Sequence, residues 1–292
     1  MASAFEVPGQ WLRGNLHLHT TGSDGELTPQ EAVDGYAEEG YDFLSITDHD
    51  CVTEVASLDG RGMTLLPGIE IAPPGAELGQ TIHVVGIGAR EEAPSTGEAQ
   101  EAIDALAAVS EVCFVAHPSW SSLTFADILE LEGIMGVEVF NATCRRGVGR
   151  GTSEVQWDNL LARGRRLFGL AVDDAHCHYD DRYGGWIMLR SEDRSPEAIY
   201  RALQEGHFYA SSGPRIEHVE VDGEEVHVEC SPCVEVFAVC PLPGKGWTNW
   251  RHGGGREAAT QFDLQMRPGT DPVRIVVVDE RGQRAWTNPF WA

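Results

Sequence analysis

The sequence predicts an α/β fold, parallel strands with crossover helices, followed by a small all-β unit. Three features predict it. Up to about Ser212, short apolar runs alternate with helical patterns, the rhythm of parallel strands joined by crossovers. The runs are apolar along their length, as expected of strands covered on both faces. After Gly213-Pro214 the helical period stops, and alternating segments with Asp-Gly and Arg-Gly turns take over. A chain of 292 residues, 42% of them hydrophobic, is long enough to bury such a core. The expected division is 1–212 for the α/β unit and 213–292 for a small β-sandwich-like domain.

The elements follow in order. "GNLHLHT" reads as the first strand. Thr28 then serves as N-cap, Pro29 takes the first helical position, Glu31 closes a capping box, and Gly40 stops the helix. "YDFLSITDHD", "MTLLPGIEIAP" and "TIHVVGIG" are the next three strands. A helix from Glu98 to Ser110 leads to "VCFVAHP", a short one from Phe125 to Leu131 leads to "GVEVFN", and one from Ser153 to Arg163 leads to "RLFGLAVDDAH". An amphipathic helix from Pro196 to Gly206 precedes "HFYASSGP". Beyond it, "RIEHVEVDGEEVHVEC", "CVEVFAVCPL", "ATQFDLQMR" and "PVRIVVVDERGQRAWTNPF" read as antiparallel strands.

Bulk properties exclude several classes. A net charge of −25 repels a phosphate backbone at long range, which disfavours nucleic-acid binding through a basic patch. It leaves open an anionic small substrate, because divalent ions reverse the field locally. Seven scattered cysteines are not a disulfide framework. The CxxC at Cys230 and Cys233 lacks a second pair and reads as buried free thiols. "MASAFEVPGQWLRG" lacks the features of a signal peptide, and no apolar run is long enough for a bilayer. The expectation is a cytoplasmic protein with no membrane partner.

The chemistry lies in where polar residues fall. His17 and His19 project to the same side of their strand, a spacing at which two imidazoles grip one ion. His19, Asp48, His49, Glu70, His117, Asn141, Asp173, Asp174 and His176 all stand at or just beyond strand C-termini. In a parallel barrel those ends form one rim. Asp24 follows in "TTGSDG", where Gly22 and Gly25 let the turn bend sharply, and His83 lies in "TIHVVG". His17, His19, Asp24, His49, Glu70, His83, His117, Asp174 and His176 make nine candidate ligands. Nine are too many for one ion and natural for three. Mixed imidazole and oxygen ligands suit Mn²⁺, Zn²⁺ or Fe²⁺ better than Mg²⁺ or Ca²⁺.

Taken in order, "HLHTTGSDG", "ITDHD", "GIE", "HVVG", "AHP", "VEVFN" and "DDAH" resemble the PHP (polymerase and histidinol phosphatase) superfamily. The resemblance implies a distorted (β/α)7 barrel with a trinuclear metal site at its C-terminal mouth. It implies His17, His19, Glu70 and Asp174 on a first ion, Glu70, His83 and His117 on a second, and Asp24, His49 and His176 on a third. An aspartate at Asp24 is similar to the phosphoesterase branch. The stretches "AIYRALQEGHFYASSGPRI" and "DERGQRAWTNPF" are more similar to the CehA/McbA group of PHP-like metallohydrolases, which have a β-rich C-terminal part and include enzymes acting on carbamate esters.

These readings support a metal-dependent phosphoesterase acting on a small organic phosphate ester. Two close ions share and acidify a water, and the bridging hydroxide attacks phosphorus in line. Glu70, Asp174 and His176 are the expected catalytic residues. Arg145, Arg146 and Asn141 are the expected substrate-binding residues, with one arginine clamping phosphate. Asp48 and Asp173 are expected to orient imidazoles. His178 and Tyr179 belong either to the pocket or to a surface loop. His207, His218, His227 and His252 read as ordinary strand or loop residues. The alternatives are a carboxylic-ester, carbamate or amide hydrolase using the same ions, which a mouth without arginine would favour, and a non-catalytic metal-binding protein.

Overall fold

The computed structural model describes residues 2–242, 257–266 and 269–291. Strands β1 (Gln10–Asn15), β2 (Phe43–Ile46) and β3 (Thr64–Ile71) are parallel neighbours, and helix α1 (Pro29–Glu38) crosses from β1 to β2. The start of α1 is the predicted one. Thr28 Oγ1 accepts from the Glu31 amide at 3.3 Å, and the Glu31 carboxylate accepts from the Thr28 amide at 2.9 Å. Gly40, at φ +74°, lies just past the helix end.

Strand β4 (Val84–Ile87) departs from the expected parallel order. It runs antiparallel to β3 and to β5 (Val112–Val115). Residues 72–83 carry no helix to make a crossover, so the chain turns straight back. Ile71 therefore pairs with Val84, and the start of β4 lies at the rim where β3 ends.

Parallel pairing resumes between β5, β6 (Gly136–Asn141) and β7 (Phe168–Val172), with α2 (Ala99–Val109) before β5 and α3 (Phe125–Leu129) before β6. Two elements are absent from the sequence reading. Helix α4 (Ala142–Val148) follows β6 directly, capped by the Asn141 side chain, and its "ATCRRGV" has no apolar period to announce it. Helix α5 (Glu154–Ala162) then leads into β7. The second unforeseen element is β8 (Trp186–Ser191), which pairs antiparallel with β1 and with β9 (Phe208–Ser211); α6 (Pro196–Glu205) joins β8 to β9.

Among the described residues six strands follow: β10 (Ile216–Asp222), β11 (Glu225–Cys233), β12 (Glu235–Val239), β13 (Ala259–Gln265), β14 (Arg274–Val278) and β15 (Arg284–Thr287). β10, β11 and β13 form a separate antiparallel sheet. β12, β14 and β15 continue the large sheet through β9, so hydrogen bonding runs unbroken across residue 212. The large sheet has the order β12-β14-β15-β9-β8-β1-β2-β3-β4-β5-β6-β7. Just beyond β1 and β7, Leu18 bridges Ala175 in parallel, and the His19 amide donates to the Ala175 carbonyl at 2.9 Å.

Alternation along the strands divides the core. Phe114 and Ala116 join Leu170 and Val172 in one cluster, which α6 completes with Ile199, Ala202 and Leu203. Cys113, Val115 and Ala171 face another, beneath α2 and α5. Between the two C-terminal sheets, Ile216, Val228 and Phe262 pack with Val236, Ile275 and Tyr209. Arg274, 2% exposed, reaches Asp158 at 3.0 Å and Glu154 at 3.2 Å, tying β14 to α5. No helix of the described residues is long and apolar enough to cross a membrane.

Candidate metal centre

The rim gathers all nine predicted residues. His17 and His19 lie just past β1, both buried, with their Nε2 atoms 3.1 Å apart. Glu70 Oε2, from β3, lies 3.2 Å from each. Asp174 Oδ1, just past β7, lies 3.3 Å from His17 Nε2 and 3.2 Å from His19 Nε2. Neither carboxylate oxygen has a hydrogen-bond partner among the described residues. Burying carboxylate oxygens without hydrogen-bond donors is costly unless positive charge faces them. Facing imidazole nitrogens, they are the donor set of a cation site, so these residues fit a divalent metal.

Burial alone would depress His17 and His19. The Asp174, Glu70 and Glu138 carboxylates nevertheless hold His17 well above 6.5, and Asp174 and Glu70 bring His19 to about 9. Burial would raise the two carboxyls, but the imidazoles hold Glu70 and Asp174 well below the usual carboxylate range.

Glu70 faces a second group with its other oxygen. His83 Nδ1 lies 2.9 Å and His117 Nε2 3.4 Å from Oε1, while His49 Nδ1 lies 3.2 Å from Oε2. His83 reaches this point because β4 is reversed. A third group surrounds Asp24. Its Oδ2 lies 3.5 Å from His176 Nε2 and 3.8 Å from His49 Nε2, and its Oδ1 lies 3.7 Å from His19 Nδ1. His19 stacks with both His49 and His176. His49 stands with Asp24 and His176, as the resemblance implies, and also with Glu70 and His83; His19 likewise belongs to two groups.

Three imidazoles have Nδ1 engaged, leaving Nε2 for the cluster. His17 Nδ1 meets Glu138 Oε1 at 2.6 Å, His117 Nδ1 meets Ser121 Oγ at 3.0 Å, and His176 Nδ1 meets the Asp174 carbonyl at 2.9 Å. His117 at φ +28° and Asp174 at φ +57° hold left-handed backbone, at a cost of about 1–3 kcal/mol each.

Glu138 is the residue the sequence reading missed. It is fully buried, and its Oε2 accepts from the His117 amide at 2.8 Å and from Asn141 Nδ2 at 2.9 Å. A lone acid between the valines of "GVEVF" was the available signal. A bulge between Glu138 and Phe140 brings Asn141 round to the same partners. Asn141 Nδ2 also donates to Asp174 Oδ2 at 3.0 Å, turning Oδ1 inward.

Other expectations need correction. Among the described residues Asp48 and Asp173 bond no imidazole directly; Asp48 reaches His19 only through Ser23, whose Oγ lies 3.5 Å from His19 Nδ1. Asp48 accepts from Thr20, Ser23 and Thr53, and Asp173 from Tyr36, Tyr183, Gly184 and Gly185, so both hold loops. Gly22 and Gly25 are not at positive φ; close approach requires them instead. A Cβ on Gly25 would lie 2.3 Å from the His19 carbonyl oxygen, and one on Gly22 would lie 2.5 Å from Asp48 Oδ2.

A cavity of about 240 Å³ opens over the cluster, its wall completed by Trp120, Thr143, Cys144, Gly147, Val148 and Tyr179. Arg145, Arg146 and Asn141 are not on that wall. Arg146 donates to the carbonyls of Asp180 and Arg182, Arg145 is exposed on α4, and Asn141 is buried behind Asp174. His178 pairs with Glu26 at 3.1 Å outside the wall, whereas Tyr179 lines it. His207 and His227 pair with Glu205 and Asp263, away from the rim, and His218 lies on β10; His252 lies outside the described residues. Cys230 and Cys233 are buried free thiols. A larger cavity, about 300 Å³, lies between the N-terminal segment and the C-terminal strands and includes none of these imidazoles.

No family model matches the chain. It is 37% identical over 78 residues to a 3',5'-nucleoside bisphosphate phosphatase of Chromobacterium violaceum, a match covering 25% of this chain and 27% of that protein. It is 39% identical over 79 residues to the 5'-3' exoribonuclease Rnm of Escherichia coli, covering 25% and 26%. The chain thus spans about a quarter of the length of these curated relatives. A solved two-domain protein of Bacteroides vulgatus, containing a predicted PHP-like metal-dependent phosphoesterase, shares the fold over 98% of both chains, with a TM-score of 0.53 and 17% identity. Over about a quarter of its length the chain is thus similar to these phosphatase and exoribonuclease enzymes, and over its whole length it shares the fold of that two-domain protein.

Proposed function

We propose that this protein is a metal-dependent phosphoesterase hydrolysing a small organic phosphate ester. The observation that carries the reading is the pair of buried, unpartnered oxygens, Glu70 Oε2 and Asp174 Oδ1, facing the Nε2 atoms of His17 and His19. Likeness to a bisphosphate phosphatase supports phosphorus as the centre attacked. In this reading the nine rim residues hold three ions, with Glu70 shared. Divalent ions there supply Lewis acidity and acidify a water near neutral pH. Glu138 keeps the proton of His17 on Nδ1, Asn141 aims Asp174 Oδ1 inward, and the Asp174 carbonyl fixes the ring of His176. The bridge between Leu18 and Ala175 supports a large sheet curled into a distorted barrel, with 1–212 as the catalytic unit and β12, β14 and β15 of the 213–292 unit extending its sheet.

A second reading is a carboxylic-ester, carbamate or amide hydrolase. It is favoured by one observation: among the described residues, no arginine or lysine lines the cavity. A neutral carbonyl substrate needs no such cation.

The test is metal analysis of the purified protein and an assay with Mn²⁺ on p-nitrophenyl phosphate, bis-p-nitrophenyl phosphate, nucleotides and p-nitrophenyl acetate. Phosphate-ester turnover is expected, lost together with bound metal in His17→Ala and Asp174→Ala. Turnover of the acetate alone would move the assignment to the second reading.

A further inference from the structure

The cavity wall names more than a reaction. Trp120 (45% exposed), Val148 (59%) and Tyr179 (43%) are three of the five large hydrophobic side chains most exposed among the described residues. All three stand on this one wall. Scattered exposed apolar residues need no explanation, but a cluster at the mouth of a candidate site does. Trp120 packs edge-on against His117 and His83, with centroids 4.9 and 5.9 Å apart, so its ring begins where the imidazoles end. Tyr179 is held by its hydroxyl, which donates to the Thr143 carbonyl at 3.0 Å. That placement depends on Gly147, where a Cβ would lie 2.7 Å from the Tyr179 hydroxyl.

Two features narrow what fits. A volume of about 240 Å³ lies below the roughly 300–1,000 Å³ of sites for drug-sized ligands, so it suits a compact group. The described wall offers a second phosphate no cation, and Asp24 adds negative charge. We propose that the substrate's organic part is a single aromatic ring without further anionic groups, held against Trp120 and Tyr179. The proposal rests on the phosphoesterase reading and names its substrate class.

Binding of non-hydrolysable mimics tests it without the confounding leaving-group chemistry of aryl esters. Phenylphosphonate and methylphosphonate are titrated into the Mn²⁺-loaded protein by calorimetry, beside a turnover assay on phenyl phosphate. An aromatic contact contributes about two- to tenfold in affinity beyond area burial, so phenylphosphonate should bind at least tenfold tighter. Trp120→Ala should cut that ratio about fivefold or more, Trp120→Phe should restore most of it, and Tyr179→Leu should lower it independently. Metal content, measured on each variant, reports whether the imidazoles stay in place. Equal affinity for the two phosphonates, with phenyl phosphate still hydrolysed, would overturn the inference and leave the phosphoesterase reading standing. No phosphonate binding and no phosphate-ester turnover would overturn both.

Discussion

Glu138→Gln is the most discriminating change this site offers, because it alters one atom and no shape. Glu138 receives three donors on two oxygens: the His17 imidazole on Oε1, and the His117 amide and Asn141 Nδ2 on Oε2. An amide has one acceptor and two donors. If its oxygen stays with His117 and Asn141, its NH₂ faces His17 Nδ1. The proton of His17 must then move to Nε2, the atom that faces Glu70 and Asp174. If the amide flips, its NH₂ meets two N–H donors, which pushes the His117 backbone away. Either orientation removes one nitrogen ligand or displaces it. Loss of such a supporting partner costs about 10- to 100-fold in metal affinity or activity, or about 1.4–2.8 kcal/mol. The assay is competition with a chelator of known affinity, with circular dichroism to confirm the fold. Metal affinity within twofold of the unaltered protein would refute the reasoning, because His17 would then not depend on Glu138 for its tautomer.

Protons should leave as metal enters. With His19 raised to about 9 in the ion-free site, its imidazole is charged near pH 7.5, so titration in buffers of different ionisation enthalpy should show proton release and affinity rising towards pH 9. Stability without metal should run the other way. The contribution of His19 is complete below its unfolded value near 6.5 and is lost as pH rises through about 9, which thermal melts after metal removal would record. Gly25→Ala should cost about 1–3 kcal/mol and weaken metal binding, since its Cβ would press on the His19 backbone, whereas Gly40→Ala, with open space around it, should spare metal content. Arg274→Ala strips a buried cation from Glu154 and Asp158; because Arg284 still pairs with Glu154 and both carboxylates are partly exposed, the expected loss is about 2–3 kcal/mol in chemical denaturation, below the roughly 3–5 kcal/mol of a fully buried pair.

Much of the site was legible because its signals are local. The HxH spacing, the acids and histidines at strand ends, and the capping box at Thr28 each depend on a few neighbouring residues and the period of a strand or helix. The same locality explains the misses. Helix α4 has no apolar period, and Asp173 is adjacent to a ligand in sequence while its carboxylate holds the 183–185 loop. The arginines of α4 were read as a phosphate clamp from their position after β6. Helix geometry turns Arg146 to carbonyls of the 180–182 loop instead.

The sequence by itself determined which residue types gather at strand ends, and so the kind of chemistry available. Only tertiary structure decided how they face one another. The reversal of β4 brings His83 to the same rim as Glu70, because an antiparallel strand offers its start where parallel neighbours offer their ends. The bulge in β6 sets Asn141 between Glu138 and Asp174. Burial left two carboxylate oxygens without partners, and it put aromatic rings rather than arginines at the mouth. These are properties of how separate segments pack. No local period encodes them, because they depend on partners in other segments of the chain.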